Sequence, residues 1–592
     1  MRILLIYLMM LLPFAALAQQ AADAVQPEAA GTGSFATSPE AEIALKAKRA
    51  GLPLKADDWM VVAANPLAVE AGAKVLRVGG SAADAMIAVQ AVLGLVEPQS
   101  SGLGGGAFLI WYDGASGIMT TLDARETAPM AATPRLFQNA DGEPVGFFDA
   151  VVGGGSVGVP GVPLLLEEAY ARWGRADWHE LFNDAIAHAE DGFPVSPRMA
   201  MMIERDAERL STFRRTRNYF LPDGVPLKEG QILTNPDYAQ SLLILARDGA
   251  APFYTGKIAN DIVTAVRTAP SNPGLLSRED LALYRVKERP PVCGDYRGHK
   301  ICGMGPPSSG ALAVGQILGL LEPFDMAGLG PQSAESWRLI GDASRLAFAD
   351  RGRYVADSDY VPVPVEGMLD AGYLAKRAEL LQSTAALEDV MPGAPEFDHA
   401  LNWADDDAIE LPSTSHISIV DRYGNALSMT TTIENAFGSR LMARGFLLNN
   451  ELTDFSFRSH RDGVPVANRI EPGKRPRSSM APTIVLKDDK PVLVIGSPGG
   501  SRIIGYVAKS IVAYLDWGMD VQQAVSLPHL LNRFGTYDVE AGTGAETFAP
   551  PLTAMGFEVE ARPLTSGLSA ISIGDVLQGG ADPRREGIAL GE

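Results

Sequence analysis

The sequence predicts a mixed α/β fold, of the α+β kind in the uneven spacing of its elements. Three observations predict it. Helical and strand patterns alternate irregularly from about residue 60 onward. Strand patterns concentrate in the last third of the chain. A hydrophobic fraction of 46% over 592 residues suffices for a large core and excludes a wholly disordered chain. Length alone allows about two to four domains, and no internal repeat of roughly 20–50 residues is visible.

The elements follow in order. Arg2, the apolar run Ile3–Leu12 and the A-x-A site Ala16-Leu17-Ala18 read as a secretory signal over residues 1–18. The run is too short to span a bilayer. Residues 19–56, rich in Ala, Gly, Pro and Ser, read as a mobile leader. Met60–Ala64 reads as a first buried strand. Pro66–Leu76 and Ser81–Leu95 carry helical spacing, the second with Ser81 as N-cap. Phe108–Tyr112 and Met119–Asp123 are strands about the turn Gly114–Gly117. Residues 163–381 are mainly helical, interrupted by a hairpin over 293–302. Residues 384–413 are acidic, poor in pattern, and read as an exposed linker. From Ser415 the pattern alternates. His416–Asp421 and Ala426–Thr432 form a hairpin about Gly424-Asn425. Ala481–Leu486 and Pro491–Gly496 are further strands, and Ile503–Trp517 is an amphipathic helix.

Composition excludes several classes of function. A net charge of −21 and a pI near 4.9 oppose nucleic acid as partner and docking on anionic membranes. The seven histidines (179, 188, 299, 399, 416, 460 and 529) show no H-x-x-x-H or H-x-H spacing, so no protein-held metal and no cofactor is expected. In the 293–302 hairpin, a two-residue loop at Arg297-Gly298 sets Cys293 opposite Cys302 and Asp295 opposite Lys300. In an oxidising compartment that register allows a disulfide. Two free, half-buried thiols are the alternative.

Two glycine-rich motifs attract attention first. Gly154-Gly155-Ser156-Val157-Gly158 matches the G-x-S-x-G elbow, but that motif needs a helix immediately after it. Pro160 and Pro163 delay any helix, so the segment reads as a turn. Ser101–Gly106 leads into a strand and reads as a close-packing turn rather than a phosphate cradle. Thr414 has a different option. If the Ser413–Thr414 bond is cut, Thr414 carries a hydroxyl nucleophile and a free α-amine, whose usual pKa of about 7.7–8.0 suits a general base at neutral pH. Periodicity alone makes it one strand threonine among many.

The surrounding motifs decide the reading. Asp123-Ala124-Arg125-Glu126-Thr127-Ala128-Pro129, Pro306-Pro307-Ser308-Ser309-Gly310 and Thr414–Asp421 come first. Thr430-Thr431-Thr432, Asn449–Phe455, Lys474–Met480 and Gly496–Arg502 follow in that order. Over residues 57–592 the chain strongly resembles the γ-glutamyltransferase (glutathione hydrolase) family of N-terminal-nucleophile hydrolases. The resemblance implies a four-layer αββα sandwich and a precursor that cuts itself between Ser413 and Thr414. The products would be a large subunit, 57–413, and a small subunit, 414–592, folded together as a heterodimer.

The roles that the resemblance implies are these. Thr414 attacks the γ-amide carbonyl of glutathione or another γ-glutamyl compound. Gly499 and Gly500 offer backbone N–H groups to the oxyanion, and Thr432 orients the nucleophile. Arg125, Ser478 and Ser479 hold the substrate carboxylate, while Glu451 and Asp454 face its ammonium. Water then gives hydrolysis, and an amino acid or dipeptide gives transpeptidation. The enzyme would be periplasmic or secreted. Two departures stand out. Glu434 occupies a place where the family commonly has Asn, and residues 456–466 are shorter than the lid loop of lidded bacterial members. A glutaryl-cephalosporin-type acylase of the same fold is an alternative reading, and a non-catalytic binding relative is another.

Overall fold

The computed structural model describes residue 35 and residues 37–592, except 400, 401 and 407. The signal segment 1–18 lies outside the described residues. Two seven-stranded sheets, antiparallel throughout, carry the fold. Their strands are β1 (Leu54–Ala56), β2 (Met60–Ala63), β3 (Gly106–Tyr112), β4 (Met119–Ala124), β5 (Lys287–Arg289), β6 (Val292–Tyr296) and β7 (His299–Gly303). Then come β8 (Ser415–Val420), β9 (Ala426–Thr432), β10 (Thr483–Lys487), β11 (Lys490–Gly496), β12 (Ser569–Ile573), β13 (Leu577–Ala581) and β14 (Ile588–Gly591). One sheet runs β14-β2-β8-β9-β3-β4-β5, the other β1-β13-β12-β11-β10-β7-β6. Both sheets contain strands from before and after residue 413, so the two expected subunits share one core.

The period of two in each strand builds the layers. In β2, Val61 and Ala63 face a helical layer, with Ile417 and Ile419 of β8 beside them. Met60 and Val62 face the other sheet, where they meet Ile484, Val494 and Ile571. Helices α1 (Pro39–Arg49), α2 (Pro66–Arg77) and α3 (Ala82–Val96) cover the first sheet. Helices α4 (Gly310–Leu321), α5 (Ala334–Tyr354) and α6 (Ile503–Leu515) cover the second. The result is the αββα sandwich that the resemblance implies. α3 is buried at every position and is started by a capping box between Ser81 and Asp84.

Three readings change. The segment read as a leader holds helix α1 and strand β1. Ala41, Ala44, Leu45 and Lys48 fall on one face of α1 and are buried, and the Lys48 ammonium donates to the carbonyls of Arg585 and Gly587 at 2.7 and 2.6 Å. The acidic linker is not exposed at its end: Asp406, Glu410, Leu411 and Ser413 are buried, because Asp406 and Glu410 find buried arginines. In the 293–302 hairpin the register is as expected and Cys293–Cys302 is a disulfide. Lys300, however, pairs with Asp489 at 2.7 Å rather than with Asp295.

The two sheets approach closely where β11 ends. A Cβ on Gly496 would lie 2.1 Å from the buried His416 ring. Gly496→Ala should therefore lower stability by about 1–3 kcal/mol or more through overpacking. Gly544→Ala, where a Cβ meets nothing within 4 Å, should change it by less than about 0.5 kcal/mol. Thermal melting of the two variants checks this contrast.

Candidate active site

Alternation along β8 and β9 sets the site. His416 and Ser418 point between the sheets, opposite Thr430 and Ser428. One step further along the same faces lie Thr414 and Thr432, whose hydroxyls are 3.2 Å apart. Thr414 is held hard. Its φ of +90° is rare for a β-branched residue, a strain of about 1–3 kcal/mol. The Arg585 guanidinium donates to its carbonyl at 3.1 Å. On the other side of the expected scissile bond, the Gly499 N–H donates to the Ser413 carbonyl at 3.1 Å, and the Ser413 hydroxyl donates to the Gln99 carbonyl at 3.0 Å. Gly499 at φ +137° and Gly500 at φ +57° form a turn that a side chain would strain. A Cβ on Gly500 would also sit 2.7 Å from the Leu411 carbonyl.

A cavity of about 20 Å³ opens at Thr414, room for about one water. Thr432, Arg125, Glu434, Glu451, Asp454, Ser478, Ser479 and Gly500 line it. Gly499 is the one predicted catalytic or substrate-binding residue not on its wall, and its N–H holds the Ser413 carbonyl instead. Glu410 and Leu411 of the linker also line the cavity. Ser478 contributes mainly to the frame: its carbonyl accepts from the Ser309 N–H and hydroxyl at 2.8 and 2.7 Å. The 456–466 segment forms a small hairpin, His460–Arg461 with Val464–Pro465.

The charges are arranged differently from the two-ended clamp inferred from sequence. Arg125 is buried and already pairs with both Glu451 and Asp454. It also donates to the carbonyls of Pro476 and Arg477. Glu126 also acts on this guanidinium and Glu434 faces Asp454 and Glu451, so four carboxyls are buried together here. Burial, then repulsion from Glu451, pushes Glu126 well above the usual carboxylate range. Burial, then Asp454 and Glu451, does the same to Glu434. Burial also raises Glu451 and Asp454, against the pull of Arg125. Burial alone would lower Arg125, but Glu451 and Asp454 outweigh it and hold it above its ordinary value. A further positive charge beside these raised carboxyls would favour their ionised forms.

Sequence reasoning missed Glu126, although it follows Arg125 in the same motif. It also missed Asn450, whose amide donates to Glu434 at 2.5 Å and to the Thr453 hydroxyl at 2.9 Å, and Arg351, Glu410 and Arg585. Ser156 is a turn serine: its hydroxyl donates to the Val151 carbonyl at 2.6 Å, and the helix after it begins only at Val162. At Gly104 and Gly105 a Cβ would meet backbone carbonyls at 2.0 Å, the close packing expected there. No group of three or more His, Cys, Asp or Glu suited to a metal ion occurs among the described residues. His416, inside the sandwich, is pushed down to about 3 by burial and stays neutral.

Residues 68–592 match the model of the family described as gamma-glutamyltranspeptidase. The chain belongs to the gamma-glutamyltranspeptidase family. Among similar proteins, a glutathione hydrolase proenzyme of Bacillus subtilis (strain 168) is 38% identical over 90% of this chain and 91% of its own length. An acylase ACY 1 proenzyme of Pseudomonas sp. (strain SE83) is 34% identical over 88% of this chain and 90% of its own length. A solved cephalosporin acylase from Bacillus halodurans superposes with a TM-score of 0.80 at 25% identity, covering 91% of this chain and 97% of its own. The gamma-glutamyltranspeptidase family thus supplies an enzyme of the hydrolase and transferase kind, with acylase relatives.

Glu434 offers a test of these buried carboxyls. Its folded-state pKa is raised above the ordinary 4.5. Its contribution to stability is therefore full below that ordinary value and is lost as pH rises through the folded one. Glu434→Gln, which keeps an acceptor for Asn450 and cannot ionise, should melt higher than the parent at pH 8 and about equal to it at about pH 4, below the ordinary value. A melting-temperature difference independent of pH would refute the raised carboxyl.

Proposed function

We propose that the chain is an exported γ-glutamyltransferase and glutathione hydrolase that activates itself by cutting between Ser413 and Thr414. One observation carries this reading. The Thr414 hydroxyl lies in a charged cavity at a strained backbone, while an N–H from the glycine turn already holds the carbonyl it must attack. In self-cleavage the Thr414 Oγ adds to the Ser413 carbonyl carbon, the C–N bond breaks, and the hydroxyl proton passes to the new amine. Water hydrolyses the resulting ester and frees the Ser413 carboxylate. The strain at Thr414 is relieved by that step, and the Gly499 N–H meets the negative charge as it develops on the carbonyl oxygen, an effect worth about 2.7–4 kcal/mol per donor.

The freed amine then serves as base for the same hydroxyl. A γ-glutamyl amide is attacked, its amine leaves, and a γ-glutamyl ester on Thr414 remains. Water or an acceptor amine resolves it. The carboxyls buried about Arg125 favour a donor with an α-ammonium, hence glutathione-like compounds over glutaryl ones. The acylase reading stays in play through the likeness to the cephalosporin acylase. Export rests on residues 1–18 and is supported by the Cys293–Cys302 disulfide. No helix among the described residues is long and apolar enough to cross a membrane.

Denaturing gels of the parent should show two bands, the smaller beginning at Thr414 by N-terminal sequencing. Thr414→Ala should run as one band and leave a γ-glutamyl anilide intact. Full activity from that variant would end the proposal, and faster turnover of a glutaryl anilide than of the γ-glutamyl one would favour the acylase. Thr432→Val keeps the shape but removes the hydroxyl beside the nucleophile. It should slow kcat by about tenfold or more, as loss of a hydrogen bond to a reacting group does, with KM little changed in steady-state assays.

A further inference from the structure

A buried polar chain lies behind the glycine turn, and none of its members lines the cavity at Thr414. It joins Lys509 on α6 to His529, Ser566 and Asp582, all buried. The Lys509 ammonium donates to the Leu527 carbonyl at 2.7 Å and meets His529 Nδ1 at 3.1 Å. His529 Nε2 lies 2.7 Å from the Ser566 hydroxyl, which donates to the Asp582 carboxylate. The two ends fix every proton between them. An ammonium only donates, so His529 Nδ1 accepts and Nε2 carries the hydrogen. A carboxylate only accepts, so the Ser566 hydrogen points to Asp582. Arg584 pairs with Asp582 at 3.1 Å and with Glu540 at 2.6 Å, and Glu540 accepts from the His529 backbone N–H at 2.8 Å.

The chain meets the turn at two points. The Tyr506 ring lies 4.2 Å from the His529 ring, centroid to centroid. It also closes on Gly499, where a Cβ would sit 2.7 Å from Tyr506 Cε2. Gly567, next to Ser566, packs on Pro498, and a Cβ on Gly567 would lie 2.6 Å from Pro498 Cγ. Pro498 and Gly499 are thus backed from both ends of the His529–Ser566 hydrogen bond. The N–H of that same Gly499 holds the Ser413 carbonyl.

We propose that Lys509, His529 and Ser566 are positioning residues, which set the Gly499 N–H for the carbonyl it serves, first that of Ser413 and then that of the acyl donor. This rests on the acyl-transfer reading and adds to it residues that touch no substrate. The charge on Lys509 orders the chain. Without it the amine accepts as well as donates, and the His529 tautomer is no longer fixed. Burial, then Arg584, lowers Lys509 to about 7, against Glu540 and Asp582. Burial, then Arg584, Lys509 and Arg502, keeps His529 neutral. The chain is therefore ordered below about pH 7 and loosens above it.

Lys509→Met keeps the apolar stem and removes the charge. The ratio of parent to variant kcat on a γ-glutamyl anilide, per cleaved enzyme, cancels the ionisation of the Thr414 amine, which both share. That ratio should be about tenfold at pH 6, short of the roughly 10²–10³ of a removed oxyanion donor. It should approach one at pH 9, where the parent has lost the same charge. KM should not move, because the N–H acts on charge that develops only in the transition state. A ratio that is flat in pH, or a loss carried by KM, overturns the proposal. If the parent cuts itself but leaves the anilide intact, the donor reading has failed, and the same ratio is read from the rate of self-cleavage. If it does neither, the acyl-transfer reading fails and the positioning role falls with it. Should Lys509→Met not give soluble protein, Ser566→Ala carries the test. It breaks the link to Asp582 and should lower kcat severalfold with KM unchanged, and a parental kcat in that variant counts against the proposal equally.

Discussion

Everything near residue 413 depends on burying one peptide bond among charges with its carbonyl and its neighbouring hydroxyl both held. The Ser413 carbonyl accepts from Gly499, and the Thr414 carbonyl accepts from Arg585. Between those two fixed points Thr414 adopts a φ of +90° that nothing in its own side chain favours. The cost is local, and the surrounding sheets supply the rigidity that sustains it. β8 and β9 are central strands of their sheet, with every position buried. The Thr432 hydroxyl is therefore placed by strand register, and Thr414, one residue before β8, is placed by the hydrogen bonds on either side of it.

The same burial explains the charge pattern. Burial of Arg125, Arg351 and Arg477 beside one another is tolerable only because each guanidinium meets a carboxylate. Glu410 is the informative case. Burial alone would raise its pKa, yet Arg351 and Arg477 hold it below its ordinary value, whereas Glu126 and Glu434 are left raised. The cavity thus has two unlike regions. Around Glu410 positive charge dominates, and around Arg125 the carboxyls do.

Much of this was legible in the sequence, and the failures have physical causes. Alternation over 415–432 fixed which threonines share a face, and the capped helix at Ser81 and the cysteine register came from local rules of period and turn. The pairing of Arg351 with Glu410 joins residues 59 apart in sequence, and an acidic run such as 405–410 gives no sign of which carboxylate turns inward. Helix α1 was obscured differently. Ala41, Ala44, Leu45 and Lys48 have helical spacing, but small and charged residues make a weak apolar stripe. That face became legible only through what it covers, the carbonyls of Arg585 and Gly587.

That last contact links the N-terminal helix to the nucleophile. Lys48 holds the backbone carbonyl of Arg585, and the Arg585 side chain holds the carbonyl of Thr414. Burial lowers the Lys48 ammonium to about 8, against the opposing pull of Asp582 and Glu586. Two hydrogen bonds thus connect a helix that composition assigns to a leader with the residue on which catalysis is proposed to turn. A segment with this position is part of the scaffold around Thr414, and its removal would loosen Arg585 before it touched the sheets. The division of the chain into leader, large subunit and small subunit therefore describes the order of the sequence. The physical unit is the pair of interleaved sheets, with α1 closing the edge where β14 meets β2.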